Sequence, residues 1–335
     1  MRRLWAIGIV TLALVGLQVA SPAMACGCGG LAVGPNSEVT VEGETAIVSY
    51  ADGVEQIDLS LELLAQTGDT GLVFPTPNPA TVTQGDNAEF DAVAEAIQPR
   101  PAYVDDWWGF ATVSGGAGAE PEIISRVTLG PIEATTLKAS DAAGLKKWLG
   151  ENDYQLSGAA KKELKYYIAQ KWSFVAIKLT SADVLDGKLE PVRLTFETAS
   201  FVYPMRLSAA AKTPQNVRLY ILSDQRADVE KYVRGGGKLN AARNTVWAGT
   251  VTDPALTPRG SFLTVLDLTY DNPKLQVTTD IRIIPSATND QVIPEIEVIR
   301  PIALLGVPVG SLVVGWALVG LLILFGALVA RTRTR

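Results

Sequence analysis

The sequence contains no histidine. That absence excludes Ser-His-Asp and Cys-His nucleophile pairs, His-ligated zinc and the commonest general base. Cysteine is nearly as scarce. Cys26 and Cys28 are the only two, and residues so close together enclose too short a loop for a disulfide to stabilise a fold through chain entropy. The fold must therefore stand on its hydrophobic core, and 335 residues are enough to build one. No LPxTG-like sorting motif is present, and the last apolar run lacks G-x-x-x-G spacing, which leaves a lone helix rather than a packed pair. A phosphate loop is missing too. The stretch RGGGKLN at residues 234–240 lacks the first glycine and the hydroxyl residue after Lys238, so it reads as a connector.

The two ends carry clear patterns. Arg2 and Arg3 precede an apolar run over residues 4–19, and Ala23-Met24-Ala25 places small residues just before Cys26. This is the pattern of a secretory signal peptide over residues 1–25. Residues 309–330 are uncharged and RTRTR follows them. At 1.5 Å per residue, roughly 20 apolar residues cross a bilayer core, and a basic tail is expected on the cytoplasmic side. The expectation is an exported, single-pass cell-membrane protein. An extracytoplasmic body over residues 26–302 would be followed by an anchor over 303–330 and a cytoplasmic tail over 331–335. Two of the 29 basic residues lie in the leader and three in the tail, so the body has 24 against all 35 acidic residues, a net charge of −11. Such a body disfavours nucleic acid as a partner.

Within the body the pattern predicts an α+β fold, β-dominated and mostly antiparallel, with a few helices. Two β-branched and apolar runs flank Asp52-Gly53, a hairpin signal. Ile57, Leu59, Leu61 and Leu63 alternate with Asp58, Ser60 and Glu62, the period of a half-buried strand. Pro75, Pro77 and Pro79 favour an extended edge or loop. Three segments show helical spacing. The first is capped by Asp86 or Asn87, with Phe90, Val93, Ala94 and Ile97 on one stripe. The second has Ser140 as cap, Leu145, Trp148 and Leu149 inward, and Gly150 at its end. The third has Ser157 as cap with Leu164, Tyr167 and Ile168 inward. Residues 99–122 are Gly/Ala-rich at their centre and aperiodic, so an exposed loop is expected there, with a division into two subdomains near it. From Arg193 the sequence reads as strand after strand, the stretch RLTFETASFVYPMRLS included, and only DQRADVEKYV looks helical.

Few residues point to chemistry. Cys26 and Cys28 admit four readings: a lipid attachment site, a redox pair, two thiolates of a metal site, or a structural motif at the mature N-terminus. The second candidate is the run Asp105, Asp106, Trp107 and Trp108. Acidic residues beside aromatics suit sugar binding, and a carboxylate pair at fixed separation can cleave a glycoside. The alternative is a lid of aromatic side chains folded on the core. Lys146, Lys147, Lys161, Lys162, Lys165 and Lys171 give a basic helical region that reads as a solvated face. Arg206 reads as the partner of an anion, as paired with a carboxylate, or as lying along the strand edge, and Trp148, Trp172 and Trp247 read as core. No cofactor and no complete metal site are implied.

Several stretches occur in an order that resembles a known family. They are CGCGG, ETAIVSYADGVEQIDLSLEL, FPTPNP, LKKWLGENDYQL leading into YYIAQKWSFVAIKL, and LTFETASFVYPMRLS. In this order they resemble the bacterial domain-of-unknown-function 2330 family. That resemblance implies an exported or surface-anchored protein with no assigned activity, and it transfers no catalytic residue. The expectation is thus a non-enzymatic binding or structural role in the cell envelope, with the membrane as partner and a cell-wall glycan or another envelope protein as further candidates. A thiol redox or metal-handling protein and a glycan-binding or glycan-active protein are the alternatives.

Overall fold

The computed structural model describes residues 30–33, 39–65, 70–110, 132–137, 142–179, 185–188, 190–230, 233–234, 237–238 and 244–333. The chain begins with β1 (Gly30–Val33), β2 (Val39–Ala51), β3 (Val54–Ala65), β4 (Thr70–Thr76) and β5 (Thr81–Gln84). Helix α1 (Asn87–Ala96) and β6 (Arg100–Asp106) come next, then β7 (Ile132–Leu137), α2 (Ala142–Glu151), α3 (Gly158–Ala169) and β8 (Ser173–Leu179). The rest of the body is mostly strand. It contains β9 (Leu185–Lys188), β10 (Val192–Glu197), β11 (Val202–Tyr203), β12 (Gln215–Ser223), β13 (Ala227–Val229), β14 (Val233–Arg234) and β15 (Gly237–Lys238). β16 (Thr245–Thr250), β17 (Phe262–Tyr270), β18 (Ile281–Pro285), β19 (Glu295–Pro301), β20 (Ala303–Leu304) and β21 (Val307–Pro308) complete it. A helix over Val309–Arg333 ends the described chain.

The strands form one large sheet in the order β16-β17-β12-β2-β3-β10-β5, with β9 also on β3, and a smaller sheet β1-β4-β8-β7. A third, β11-β18-β13, has three strands. Pairing is antiparallel throughout except for β2 with β12 and β6 with β19. The β2–β3 hairpin turns through Asp52 (φ 52°) and Gly53 (φ 79°), the two left-handed positions that a tight hairpin needs.

Alternation along the strands separates three cores. On the smaller sheet, Leu72, Phe74, Val175 and Ile177 point into one core, which they share with Ile57, Leu59, Leu219 and Ile221 of the large sheet. Their neighbours Val73, Phe174 and Ala176 point the other way, against Trp148 of α2 and Leu164 and Tyr167 of α3. On the far face of the large sheet, Ile47, Tyr220, Leu222, Leu263 and Val265 pack with Val93 of α1 and with Trp247. Side chains two apart share a face and adjacent ones oppose. The result is four layers, with α2 and α3 on the small sheet, the small sheet on the large one, and α1 outermost. This is an α+β, predominantly antiparallel architecture, as the sequence pattern indicates.

The caps expected for two helices are present: Asp86 accepts a hydrogen bond from Ala88 N, and Ser157 from Ala160 N. Ser140 lies outside the described residues. Four local expectations need correction. From Ile57 to Leu61 β3 is buried on both faces, because α1 and the Arg259 loop cover the side that carries Asp58. Residues 100–106 are strand rather than loop, paired with β19 nearly 200 residues later. The exposed two-stranded ribbon they form leaves no alternation to read. Residues 227–229 are strand, with buried Ala227 and Val229 alternating about Asp228 on β18. The expected strand through FVYPMRLS breaks after Tyr203 into a 3₁₀ turn over Arg206–Ala210. Pro204 has no N–H to offer a ladder, and the N–H groups of Met205 and Arg206 are taken by the Asp280 carboxylate.

Candidate functional site

The body buries several ionisable side chains, and the first question is whether any is left poised for chemistry. Asp58, at the centre of β3, accepts from Arg193 Nε at 2.7 Å and from Arg259 Nη1 at 2.5 Å. Glu89 of α1 accepts from Arg193 Nη2 at 2.5 Å and from Arg259 Nη1 at 2.7 Å. Arg259 also donates to Ser49 Oγ, Ile47 O and Gln56 O, which satisfies all five of its donors. Two cations and two carboxylates close on one another and tie α1 to the large sheet. The charge is balanced, and the groups that would bind a ligand are committed to each other.

A second cluster joins α3 to the 3₁₀ turn. Tyr167 Oη donates to Asp280 Oδ1 at 2.5 Å, and the same oxygen receives Met205 N at 2.8 Å and Arg206 N at 3.2 Å. Burial pushes the Asp280 carboxyl above its ordinary range despite these donors, and burial with the neighbouring Asp280 charge raises the Tyr167 hydroxyl. Arg206 itself pairs with Glu163 at 2.8 Å, donates to Thr278 O, and lies over the Tyr166 ring at 3.8 Å. Of the readings the sequence left open for Arg206, pairing with a carboxylate is the one found, and Glu163 is its partner.

Between the two sheets, Tyr203 Oη donates to Glu44. Glu55 accepts from Val202 N through one oxygen, while Oε1 finds no partner among the described residues. Burial holds the Glu55 carboxyl well above the usual carboxylate range. Among the described residues, no group of three or more Cys, Asp or Glu side chains is arranged to hold a metal ion.

The run from Asp105 to Trp108 lies elsewhere, at the junction between body and C-terminal helix. Asp105, near the end of β6, pairs with Arg300 of β19 at 2.7 Å, and Arg300 also approaches the Tyr103 ring at 5.9 Å. Asp106 Oδ1 accepts from Trp108 N at 3.0 Å and Gly109 N at 2.8 Å, which closes the turn. The backbone then meets the helix: Gly310 N donates to Trp107 O at 2.7 Å, Ile302 N to Asp106 O at 3.0 Å, and Val309 N to Ile302 O at 3.0 Å. The Trp108 ring lies so close over Gly310 that a Cβ there would stand 2.4 Å from it. Two of the four residues thus engage their carboxylates within the junction. The other two present half-exposed indoles at the base of the helix.

Cys26 and Cys28 lie outside the described residues. The six lysines of the α2–α3 region are all exposed, and Lys147 pairs with Glu151 one turn on. Trp148 and Trp247 are buried and Trp172 packs at the edge of the α3 core. The Asp58–Glu89–Arg193–Arg259 network escaped sequence reading, since its members are up to 201 positions apart. The one signal was an arginine in each of two segments otherwise rich in turn and strand residues.

A family model described as an uncharacterized protein conserved in bacteria, DUF2330, matches residues 22–284. The chain belongs to that family of unknown function. A search of curated proteins finds no match. Among solved structures, the crystal structure of baculovirus P35 is similar at 12% identity, with 76% of this chain and 96% of that chain covered and a TM-score of 0.37. A likeness at that score carries no argument.

Proposed function

We propose that this protein is an exported cell-envelope protein, held in the membrane by its C-terminal helix, whose body has a non-enzymatic binding or structural role. The observation that carries this reading is the helix itself. Val309–Arg333 has 25 residues; its 18-residue apolar window has a mean hydropathy of 2.7 and no part buried against the rest of the chain. At 1.5 Å per residue it is about 37 Å long, enough for a hydrocarbon core of about 30 Å. Leu321, Leu322, Leu324 and Phe325 are each more than 60% exposed, and an apolar surface of this extent calls for lipid or a partner to cover it. Arg331 and Arg333 close the helix, the arrangement expected where a span meets the cytoplasm. The leader pattern before Cys26 supports export. The non-enzymatic part of the reading draws on the body, where the two arginine clusters are consumed by their own carboxylates.

The test is alkaline carbonate extraction of membranes from cells expressing the full chain or a chain ending at Pro308. The full chain is expected in the membrane pellet and the shortened one in the soluble fraction. Retention of both in the pellet, or release of both, contradicts anchoring by this helix.

A further inference from the structure

We infer that the turn after β6 and the hairpin before the C-terminal helix form an interfacial collar. They present Trp107, Trp108, Phe110, Leu304, Leu305 and Val307 to the lipid headgroup and acyl boundary, and so fix the body's orientation on the membrane. The inference rests on the anchoring reading and adds a second, non-spanning contact to it.

The first support is positional. The uncharged run of residues 309–330 is about 33 Å long at 1.5 Å per residue, close to the thickness of the hydrocarbon core. Gly310 must then lie at the edge of that core. The aromatic turn is bound to Gly310 through the Trp107 carbonyl at 2.7 Å and the Trp108 ring. Wherever the helix enters the bilayer, this turn enters at the same level. The helix has no aromatic residue in its first turn, and its one tryptophan is Trp316. The indoles expected at a membrane–water interface are supplied instead by a strand end 200 residues upstream.

The second support is exposure. Phe110 is 79% and Leu305 97% exposed, while the ion pair Arg300–Asp105 closes the β6–β19 ribbon five residues before each of them, at its next-to-last pair. An apolar tip below a charged rung is the profile of an interfacial segment.

The third is local conformation. The hairpin β20–β21 turns through Leu305 (φ 53°) and Gly306 (φ 80°). That turn prefers Asn or Asp at its first position, because a left-handed backbone is costly for a residue such as leucine. Here a leucine occupies the strained position and is almost wholly exposed in the chain alone. Turn chemistry and water both disfavour it, and a lipid contact supplies the missing reason.

The experiment is depth-dependent quenching of tryptophan emission. The full chain is reconstituted in phosphatidylcholine–phosphatidylglycerol vesicles bearing doxyl groups at a shallow or a deep acyl position. Trp316 lies about 10 Å below the start of the helix and reports insertion of the span. The double variant Trp107→Phe, Trp108→Phe is expected to lose most of the emission that the shallow quencher removes, and Trp316→Phe most of what the deep one removes. Leu305→Asn with Phe110→Ser, two largely exposed positions, is expected to weaken shallow quenching of the two indoles while leaving the thermal midpoint unchanged or higher. If Trp316 is quenched and the indoles are not, the collar is refuted and the anchor stands. If Trp316 is not quenched, the anchoring reading fails and takes the collar with it. If indole emission follows protein concentration instead of quencher, the face belongs to a second copy of the chain and the inference is overturned.

Discussion

Replacing Arg259 with methionine keeps an unbranched stem and removes all five donors. In the native protein these reach Ser49 Oγ at 3.0 Å, Asp58 Oδ2 at 2.5 Å, Glu89 Oε2 at 2.7 Å, and the carbonyls of Ile47 and Gln56 at 3.1 Å each. The Asp58 side chain is 1% exposed and that of Arg259 7%, so water cannot replace the lost partner without opening the layer under α1. Removing one member of a buried ion pair costs about 3–5 kcal/mol. Arg193 still holds Asp58 Oδ1 and Glu89 Oε1, which places the expected loss near the lower end, about 3 kcal/mol. For a body of this size that corresponds to a fall of roughly 6–12 °C in midpoint. Urea unfolding of the full chain in mild detergent, followed by tryptophan emission, measures it. The double variant Asp58→Asn, Arg259→Met should cost less than the sum of its parts, by roughly 0.5–3 kcal/mol. A loss within about 0.5 kcal/mol, the range of ordinary surface changes, would refute the reasoning that this network ties α1 to the sheet.

Two further predictions concern the other buried groups. The Glu55 carboxyl is raised in the folded protein by burial, so the folded state holds its proton more tightly than the unfolded one. Its contribution is present below the ordinary glutamate value of 4.5 and is lost as pH rises from there through the raised folded value. Glu55→Gln should therefore gain stability relative to the native protein as pH rises through that window, and parallel curves of stability against pH would show the native carboxyl to be unperturbed. Tyr167→Phe removes the hydroxyl that donates to Asp280 and receives Arg206 N. Hydrogen bonds to charged groups are worth about 1.5–3 kcal/mol, and urea unfolding should show a loss of that order. No change would mean that Met205 N and Arg206 N alone satisfy Asp280.

How much of this was legible in the sequence depends on how local each signal is. The turn at Asp52-Gly53, the caps at Asp86 and Ser157 and the apolar run of residues 309–330 are each written within a few residues, and each reads correctly as local structure. β6 was not legible, because its partner β19 is distant and the ribbon they form has no buried face to impose alternation. Strand 227–229 is short, and the acidic residues around it mimic a helical face. The polar side of β3 read as solvent-facing, since alternation shows which residues share a face but not whether a helix and an arginine will cover it. Asp105, Asp106, Trp107 and Trp108 stood out by composition alone. Their surroundings did not, because the residue that meets the Trp108 ring and the Trp107 carbonyl is Gly310, a glycine unremarked among several in an apolar helix.

The proposed topology places the body outside the cytoplasmic membrane and the basic tail inside. Protease protection tests it most directly. The full chain carries an epitope after Arg335 and is expressed in bacterial cells whose wall is then removed before protease is added. The body is expected to be digested while a fragment of the size of the C-terminal helix plus epitope survives until the membrane is dissolved. An epitope lost at once, with the body protected, would reverse the orientation. A chain wholly protected in intact cells would place the body inside and contradict this topology.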